Sequence, residues 1–269
     1  MQNIKILFRN SYEVQEEFDW LKQNIPNHLL EYRSQIQPNT LIIPRYSALP
    51  FYKELETEVK LLGSKLINTF KQHRFVADLQ KYYPILKDFT PRTWFQGQFP
   101  EIPLHKQYVV KGLTNSRKFD WNRLMFANNR DEAFAIYEQL LYDSLIKEQG
   151  ICIREYIPLK QVDTGINGLP ISIEFRFFCY KEAILSSGWY WSNFPEHTQP
   201  VPLEAINFVQ SILSLISTHV NFYVVDVAQK EDGNFIVIEL NDAQMSGLSD
   251  NRPENLYGNL LSQLQKGVI

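Results

Sequence analysis

Two runs of β-branched residues around a tight-turn signal constrain the fold more than any other part of this sequence. Residues 222–241 read FYVVDVAQKEDGNFIVIELN, and Asp232 and Gly233 separate the two apolar runs. An Asp-Gly pair is typical of a two-residue hairpin turn, because both central positions need a positive φ. We therefore predict an antiparallel hairpin. If Asp232 and Gly233 are its central pair, Asp226 lies directly opposite Glu239.

The predicted hairpin brings three oxygen-bearing side chains to one face. Asn241 shares the face of Glu239, because side chains two positions apart on a strand point the same way. Opposed carboxylates lie about 4.5–5.5 Å apart at Cβ and repel each other unless a cation intervenes. Hard oxygen donors of this kind suit Mg²⁺, so we predict Asp226, Glu239 and Asn241 as metal ligands. A solvated hairpin whose acidic pair only faces water remains the alternative. The opposite face is predicted to be apolar and consists of Val225, Val227, Ile238 and Leu240.

Strands and helices alternate in the rest of the chain. Residues 180–182 are too short a link for a crossover, so the strands on either side of them are predicted to be antiparallel. Prolines near residues 84 and 91 indicate a connection, and we place a boundary near residue 100. The predicted strands ahead of the hairpin are residues 4–8, 41–43, 107–111, 151–157, 171–179 and 183–191. This order predicts an N-terminal α/β domain over residues 1–100 and a second domain over residues 101–269.

Composition narrows the class of protein. The sequence has 27 Lys and Arg against 30 Asp and Glu, a net charge of −3, so no global field draws it to nucleic acid or to an anionic membrane. Cys152 and Cys179 are the only cysteines, which favours a reducing compartment over a disulfide framework. No apolar run approaches the roughly 20 residues that span a bilayer. We expect a cytoplasmic protein with neither nucleic acid nor membrane as a partner.

The order of these segments resembles the ATP-grasp superfamily, in which a late strand pair carries an acidic residue and then Glu-x-Asn. The matching residues are Val225-Asp226-Val227, Ile238-Glu239-Leu240-Asn241 and Met245-Ser246-Gly247. The sequence is most similar to a divergent branch of small bacterial and phage proteins, distantly related to the eukaryotic cell-division-cycle proteins of this fold. The resemblance implies an α+β, two-lobed fold that holds a nucleotide between its sheets. Residues 101–157 would form the small lobe and hinge, residues 158–269 the large lobe, and residues 1–100 the preceding α/β domain.

The resemblance also implies roles for basic and hinge residues. Lys111, at a strand end, resembles the phosphate-contacting lysine, and the following loop contains Ser116 but only one glycine, Gly112. Glu174 and Arg176 resemble the strand that faces the γ-phosphate, and Arg176 and Lys111 are the predicted catalytic residues. The implied hinge consists of Arg154, Glu155, Tyr156 and Ile157, where the backbone of Glu155 and Ile157 would pair with the adenine edge.

Simpler explanations compete with these roles. A lysine at a strand end commonly extends its ammonium group to solvent. A buried arginine needs an anionic partner, which Glu174 could supply to Arg176 and Glu155 to Arg154. Ser116 and the basic residues after it could close over phosphates or form an ordinary solvated loop. Core packing is the preferred interpretation of the aromatic residues 189–191, with a substrate pocket as the alternative.

The function that the resemblance implies is a ligase that uses ATP and Mg²⁺ to join a carboxylate to an amine through an acyl phosphate. Its partners would be ATP and unidentified carboxylate and amine substrates, with peptides and proteins among the candidates. Two alternatives stay open: a nucleotide-binding assembly module without turnover, and a kinase-like phosphoryl transferase.

Overall fold

The computed structural model of the chain describes residues 3–46 and 51–266. Over these ranges the backbone forms three four-stranded sheets and one two-stranded sheet, with helices packed between them. The predicted α+β class is confirmed. The α-helices are α1 (Gln15–Asn24), α2 (Tyr52–Leu61), α3 (Phe70–Ala77), α4 (Leu79–Leu86), α5 (Trp121–Leu124), α6 (Arg130–Leu140), α7 (Leu203–Ser217) and α8 (Pro253–Lys266).

The N-terminal sheet is parallel, as its alternation with helices predicts. Its strands are β1 (Asn3–Phe8), β2 (Leu29–Leu30), β3 (Thr40–Arg45) and β4 (Lys65–Leu66), in the order β2-β1-β3-β4. Every residue of β3 is buried, as expected when helices cover both faces of a parallel sheet. The predicted end of this strand at residue 43 is too early, because Pro44 lies within β3 opposite Leu7.

The second four-stranded sheet is antiparallel and carries the first half of the site. It consists of β5 (Thr93–Phe95), β6 (Tyr108–Gly112), β7 (Phe126–Ala127) and β8 (Ile151–Glu155), in the order β5-β8-β6-β7. Helix α6 packs on it through Ala133, Ile136 and Leu140, whose spacing places them on one helical face. Lys111 and Arg154 therefore project from neighbouring strands of one sheet.

The third four-stranded sheet carries the second half. A two-stranded sheet of β9 (Gln161–Thr164) and β10 (Pro170–Ser172) precedes it. The sheet itself consists of β11 (Glu174–Tyr180), β12 (Ala183–Trp189), β13 (Phe222–Gln229) and β14 (Phe235–Asp242), all antiparallel, in the order β12-β11-β13-β14. Both antiparallel hairpins that the sequence predicts, β11–β12 and β13–β14, are present.

The two faces of this sheet have different neighbours. Phe177 and Val225 lie on the face that packs against α7, in the largest apolar core. Phe178 and Val224 lie on the other face, where they pack with α8 and the N-terminal sheet. Side chains alternate along a strand, so Arg176 shares the second face with Phe178. The polar part of that face is therefore the natural place for a site.

Two smaller predictions concern cysteines and membrane spans. Cys152 and Cys179 are both buried and free. Among residues 3–46 and 51–266, no helix combines the length and apolarity that crossing a bilayer requires.

Candidate functional site

Asp226 and Glu239 are directly paired across β13 and β14, which confirms the predicted opposition. The predicted two-residue turn is nevertheless wrong. The backbone N–H of Lys230 donates to Asn234 (2.8 Å), so the loop contains the three residues 231–233, with Gly233 at φ 88°. The longer loop offsets the ladder by one residue. A shift of register after Asp226 corrects the offset, because Ile238 has no partner on β13.

This bulge moves Ile238 away from its predicted position on the apolar face. The side chain lines a cavity between the second and third four-stranded sheets instead. Its carbonyl accepts a hydrogen bond from Nη1 of Arg154 (2.8 Å), and Nη2 of Arg154 donates to Oγ1 of Thr90 (2.7 Å). The Thr90 hydroxyl donates in turn to the Val237 carbonyl (2.8 Å). Arg154 and Thr90, both buried, therefore fasten the bulge that sets Glu239 opposite Asp226.

Each of the opposed carboxylates has its own cation. Arg176 donates to Asp226 through two parallel hydrogen bonds, Nε to Oδ1 (2.9 Å) and Nη2 to Oδ2 (2.8 Å). Lys111 donates from Nζ to Oε2 of Glu239 (2.7 Å). The amide nitrogen of Asn241 bridges the two carboxylates, at 3.0 Å from Oδ2 of Asp226 and 3.0 Å from Oε1 of Glu239. Asp226 is 0% exposed, so the alternative of a solvated acidic pair is wrong.

Neither of the alternative arginine pairs is formed. Arg176 is paired with Asp226, and no ion pair joins it to Glu174. Glu155 forms its ion pair with Lys106, so it does not neutralise Arg154. Lys111 is 7% exposed, which makes the solvent-exposed alternative wrong for this lysine too.

Two carboxyl groups of the site have shifted pKa values in opposite directions. Burial would raise the pKa of Glu239, but the Lys111 ammonium and hydrogen bonds from Lys111 and Asn241 outweigh burial and hold this pKa at about 2. Burial, reinforced by the charges of Asp226 and Glu239, raises the pKa of Glu174 well above its usual range. At neutral pH Glu239 is ionised and Glu174 is protonated.

The donor set fits a magnesium ion. Carboxylate oxygens of Asp226 and Glu239 approach the same atom of Asn241, so three side chains converge on one point. Rotating the amide by half a turn would present its oxygen there, giving the hard donors that Mg²⁺ prefers. Sequence alone placed these three residues together, and the structure agrees.

A cavity between the sheets extends from this cluster to the predicted hinge. Its lining includes six of the predicted site residues beside Lys111 and Glu239, together with apolar side chains that could enclose a flat ring. The predicted residues are Ser116, Arg154, Glu155, Tyr156, Ile157 and Glu174. The apolar ones include Val109, Trp121, Met125, Leu159, Leu169 and Ile238.

Backbone groups at the hinge are unequally available. The N–H of Glu155 donates to the carbonyl of Arg92 (2.8 Å), and the N–H of Tyr156 donates to that of Gln107 (2.9 Å). Within residues 3–46 and 51–266, the N–H of Ile157 has no hydrogen-bond partner. Ile157 is therefore the hinge residue whose N–H is free to bind a ligand.

The loop after β6 contributes a residue that sequence analysis undervalued. The ammonium of Lys118 lies 5.3 Å from the ring centre of Tyr190 and 5.6 Å from that of Trp191, and it donates to the Tyr190 hydroxyl (3.2 Å). Core packing is correct for Trp189, which is 0% exposed. It is wrong for Tyr190 and Trp191, which line the cavity. The alternation that buries Trp189 turns Tyr190 to the other face, a signal already present in the sequence.

A second, larger cavity of about 1020 Å³ adjoins the first. Lys118, Leu169, Tyr190 and Trp191 line both cavities and separate them. Arg176 lines the second one, so the Arg176–Asp226 pair lies where the cavities meet. Other walls come from the N-terminal segment 12–17, Tyr46, residues 192–194 and the loop 247–253.

Two arginines fasten the loop that follows β14. Arg45, fully buried and paired with Glu17, donates to the carbonyls of Ala243 and of Ser246 (3.1 Å). Arg176 donates to the carbonyl of Gly247 (2.8 Å). Gly188 lets this loop lie on the sheet, because a Cβ there would approach the carbonyl oxygen of Asp250 to 2.7 Å. The N-terminal sheet thus helps to shape the larger cavity.

Solved structures share this architecture at low sequence identity. The D-cycloserine synthetase DcsG superposes with a TM-score of 0.64 at 13% identity, over 97% of this chain and 100% of that one. The ATP-grasp ligase PsnB, complexed with a phosphomimetic variant of its minimal precursor, Mg and ADP, gives 0.58 at 12% identity over 98% of both chains. An ATP-grasp RimK domain protein from Sphaerobacter thermophilus DSM 20745 gives 0.56 at 14% identity, over 98% of this chain and 95% of that one.

The predicted ATP-grasp fold is confirmed by these structures. No curated protein shows a significant match to the sequence. A family model for an ATP-grasp domain, the third family of its clade, matches residues 98–260, which is more than half of the chain. The chain belongs to this family of ATP-grasp domain proteins.

Proposed function

We propose that this protein is a ligase that uses MgATP to activate a carboxylate as an acyl phosphate and transfers the acyl group to an amine. The observation that carries the proposal is the double ion pair of Lys111 with Glu239 and Arg176 with Asp226, where the two cavities meet. MgATP combines phosphates, which suit the two cations, with a divalent ion, which suits the two carboxylates. Known ATP-grasp relatives are ligases, which supports the same class.

Each part of the nucleotide has candidate partners. Asp226, Glu239 and Asn241 would hold magnesium, and Lys111, Ser116 and Arg176 would contact the phosphates. The adenine ring would lie between the apolar walls of the smaller cavity and accept a hydrogen bond from the N–H of Ile157. When bound, magnesium neutralises phosphate charge and orients the γ-phosphate. Arg154 would act indirectly, because its guanidinium is engaged with Ile238 and Thr90.

The reaction needs positioning and charge stabilisation more than a side-chain nucleophile. A substrate carboxylate oxygen attacks the γ-phosphorus, and the bond from that phosphorus to the bridging oxygen of ADP breaks. The amine then attacks the carbonyl carbon of the acyl phosphate, phosphate leaves with the bonding pair, and the amine loses a proton to water. Lys111 and Arg176 would stabilise the negative charge on the transferred group, and Lys118 lies where it could contact the acceptor carboxylate.

We propose that the two lobes meet at the hinge and that the larger cavity receives the acceptor. Strand β5 belongs to the same sheet as β6 and β8, so the small lobe would begin at about Thr93 and end at the hinge. The large lobe would extend from residue 158 to the C-terminal helix, and the N-terminal α/β domain would pack alongside it.

Hydroxylamine trapping tests the proposal. Purified protein is incubated with MgATP, hydroxylamine and pools of carboxylates, and hydroxamate and ADP are measured together. We expect both products to depend on the same pool, and Lys111→Met and Arg176→Met to abolish them. Lys147→Met removes the same charge from an exposed position and should have no effect. ATP binding without turnover of any pool would favour an assembly module, and phosphate retained on the acceptor would favour a kinase.

A further inference from the structure

The larger cavity has three large apolar side chains at its edge, contributed by three separate segments. Tyr12 is 96% exposed, Phe119 is 65% exposed and Ile166 is 62% exposed, and all three line the cavity. Scattered exposed apolar residues are ordinary, but three around one cavity indicate a surface that binds an apolar partner. Aromatic side chains at such positions contribute strongly to binding when they are buried by a partner.

Charges in the same cavity are segregated. Lys118 and Arg176 lie at its junction with the nucleotide cavity. The exposed part of the lining carries the acidic side chains of Glu13, Glu16 and Asp250, and none of them forms an ion pair within the described ranges 3–46 and 51–266. Arg252 is the basic residue on that side. A complementary ligand carries a carboxylate at its inner end and a positive charge towards the outside.

Two polar atoms in the lining lack partners among the described residues. They are the indole N–H of Trp191, a donor, and Oδ1 of Asn251, an acceptor on a side chain that is only 4% exposed. A peptide group offers one acceptor and one donor. Peptide backbone is therefore a chemical match for both atoms.

Size points the same way. The cavity volume of about 1020 Å³ reaches the top of the 300–1,000 Å³ range that is typical of small-molecule pockets. A free amino acid would fill only a small part of it and could not contact Tyr12 while its carboxylate reached Lys118. A chain of several residues can contact both ends.

We propose that the acceptor is a peptide segment with a carboxylate at the inner end and apolar and basic side chains towards the outer edge. Tyr12, Glu13 and Glu16 of the N-terminal domain would recognise the outer part. This inference rests on the proposed function and names its substrate class. It also gives the N-terminal domain a role in selecting the acceptor.

Affinity selection from a random decapeptide pool tests the inference. Immobilised protein is saturated with Mg²⁺ and a non-hydrolysable ATP analogue, incubated with the pool, and the bound fraction is sequenced by mass spectrometry. We expect Lys, Arg and large apolar residues to be enriched and acidic residues to be limited to about one per peptide. A chosen peptide should then support ADP release, whereas its constituent free amino acids should not.

Paired variants decide whether the acidic residues are responsible. Glu13→Gln combined with Glu16→Gln should weaken the selected peptide by about tenfold, roughly threefold for each exposed carboxylate. Glu138→Gln combined with Glu204→Gln removes two exposed charges outside both cavities and should leave affinity unchanged. Nucleotide affinity is measured in the same samples and should be equal in all variants.

Several results would overturn the inference. A bound pool with the input composition, or one enriched in acidic residues, contradicts it, as do free amino acids that turn over as well as peptides do. Equal peptide affinity in both double variants also contradicts it. If nucleotide binds but peptides do not, only this inference fails. If nucleotide itself does not bind, the proposed function fails and takes this inference with it.

Discussion

Asp226 and Glu239 face each other across β13 and β14, and each is held by a different cation from a neighbouring strand. The repulsion expected between opposed carboxylates is thereby offset before any ligand binds. Lys111 comes from the sheet of the small lobe and Arg176 from that of the large lobe, so the two ion pairs also connect the lobes.

Neutralising Asp226 should destabilise the protein without its ligands. Asp226→Asn leaves the Arg176 guanidinium, whose side chain is 10% exposed, without its counter-charge, and we expect a loss of about 3 kcal/mol in the free energy of unfolding. Glu239→Gln should cost less, because Glu239 is 23% exposed. Asp232→Asn in the exposed turn is the control and should change stability by less than about 0.5 kcal/mol. Denaturant titration of an Asp226→Asn variant as stable as wild type would contradict the pairing.

Loosening the bulge should weaken magnesium-linked nucleotide binding. Thr90→Val removes the hydroxyl that joins Arg154 to the Val237 carbonyl, so we expect a loss of about 1–3 kcal/mol in stability and a smaller effect of Mg²⁺ on ATP affinity. Thr93→Val is a matched control, because its buried hydroxyl donates to Pro91 instead. It should affect stability but not the magnesium effect. Identical calorimetric profiles for the two variants would mean that the bulge does not position Glu239.

Hinge variants should separate backbone from side-chain recognition. Ile157→Pro removes the N–H that has no partner among the described residues, and we expect a large loss of ATP affinity. Glu155→Ala should have a modest effect, since this side chain is paired with Lys106 and its N–H with Arg92. Equilibrium dialysis with ATP measures both. Equal losses would show that the hinge is wrongly assigned.

Glu174 should make stability depend on pH. Its pKa is raised by burial in the folded state, so the folded protein binds a proton that the unfolded chain releases above about pH 4.5. Stability from this group is complete below that pH and is lost as pH rises towards the folded-state pKa. Glu174→Gln should therefore be more stable than wild type at pH 8, by a margin that shrinks towards pH 5. Melting curves across this range measure the margin, and a difference that is constant with pH would refute the assignment. Glu138→Gln serves as the exposed control.

The sequence predicted the Asp226–Glu239 pair because alternating β-branched residues fix which side chains share a face. It could not reveal the three-residue loop or the bulge at Ile238, since the two errors cancel at that pair and the bulge depends on Arg154 and Thr90, distant in the chain. The partner of Arg176 was missed because adjacency of β11 and β13 is a tertiary fact. For the same reason the larger cavity, assembled from five separate segments, left no pattern in the sequence.

Isothermal titration of ATP with magnesium, and again with a chelator, tests the central claim most directly. We predict that magnesium tightens ATP binding to wild type by at least about tenfold, and that Glu239→Gln abolishes this gain because one hard ligand is lost. Asp232→Asn, which removes an exposed carboxylate from the same hairpin, should keep the full gain. A folded Glu239→Gln variant that retains the full magnesium effect would contradict the metal site and, with it, the proposed chemistry.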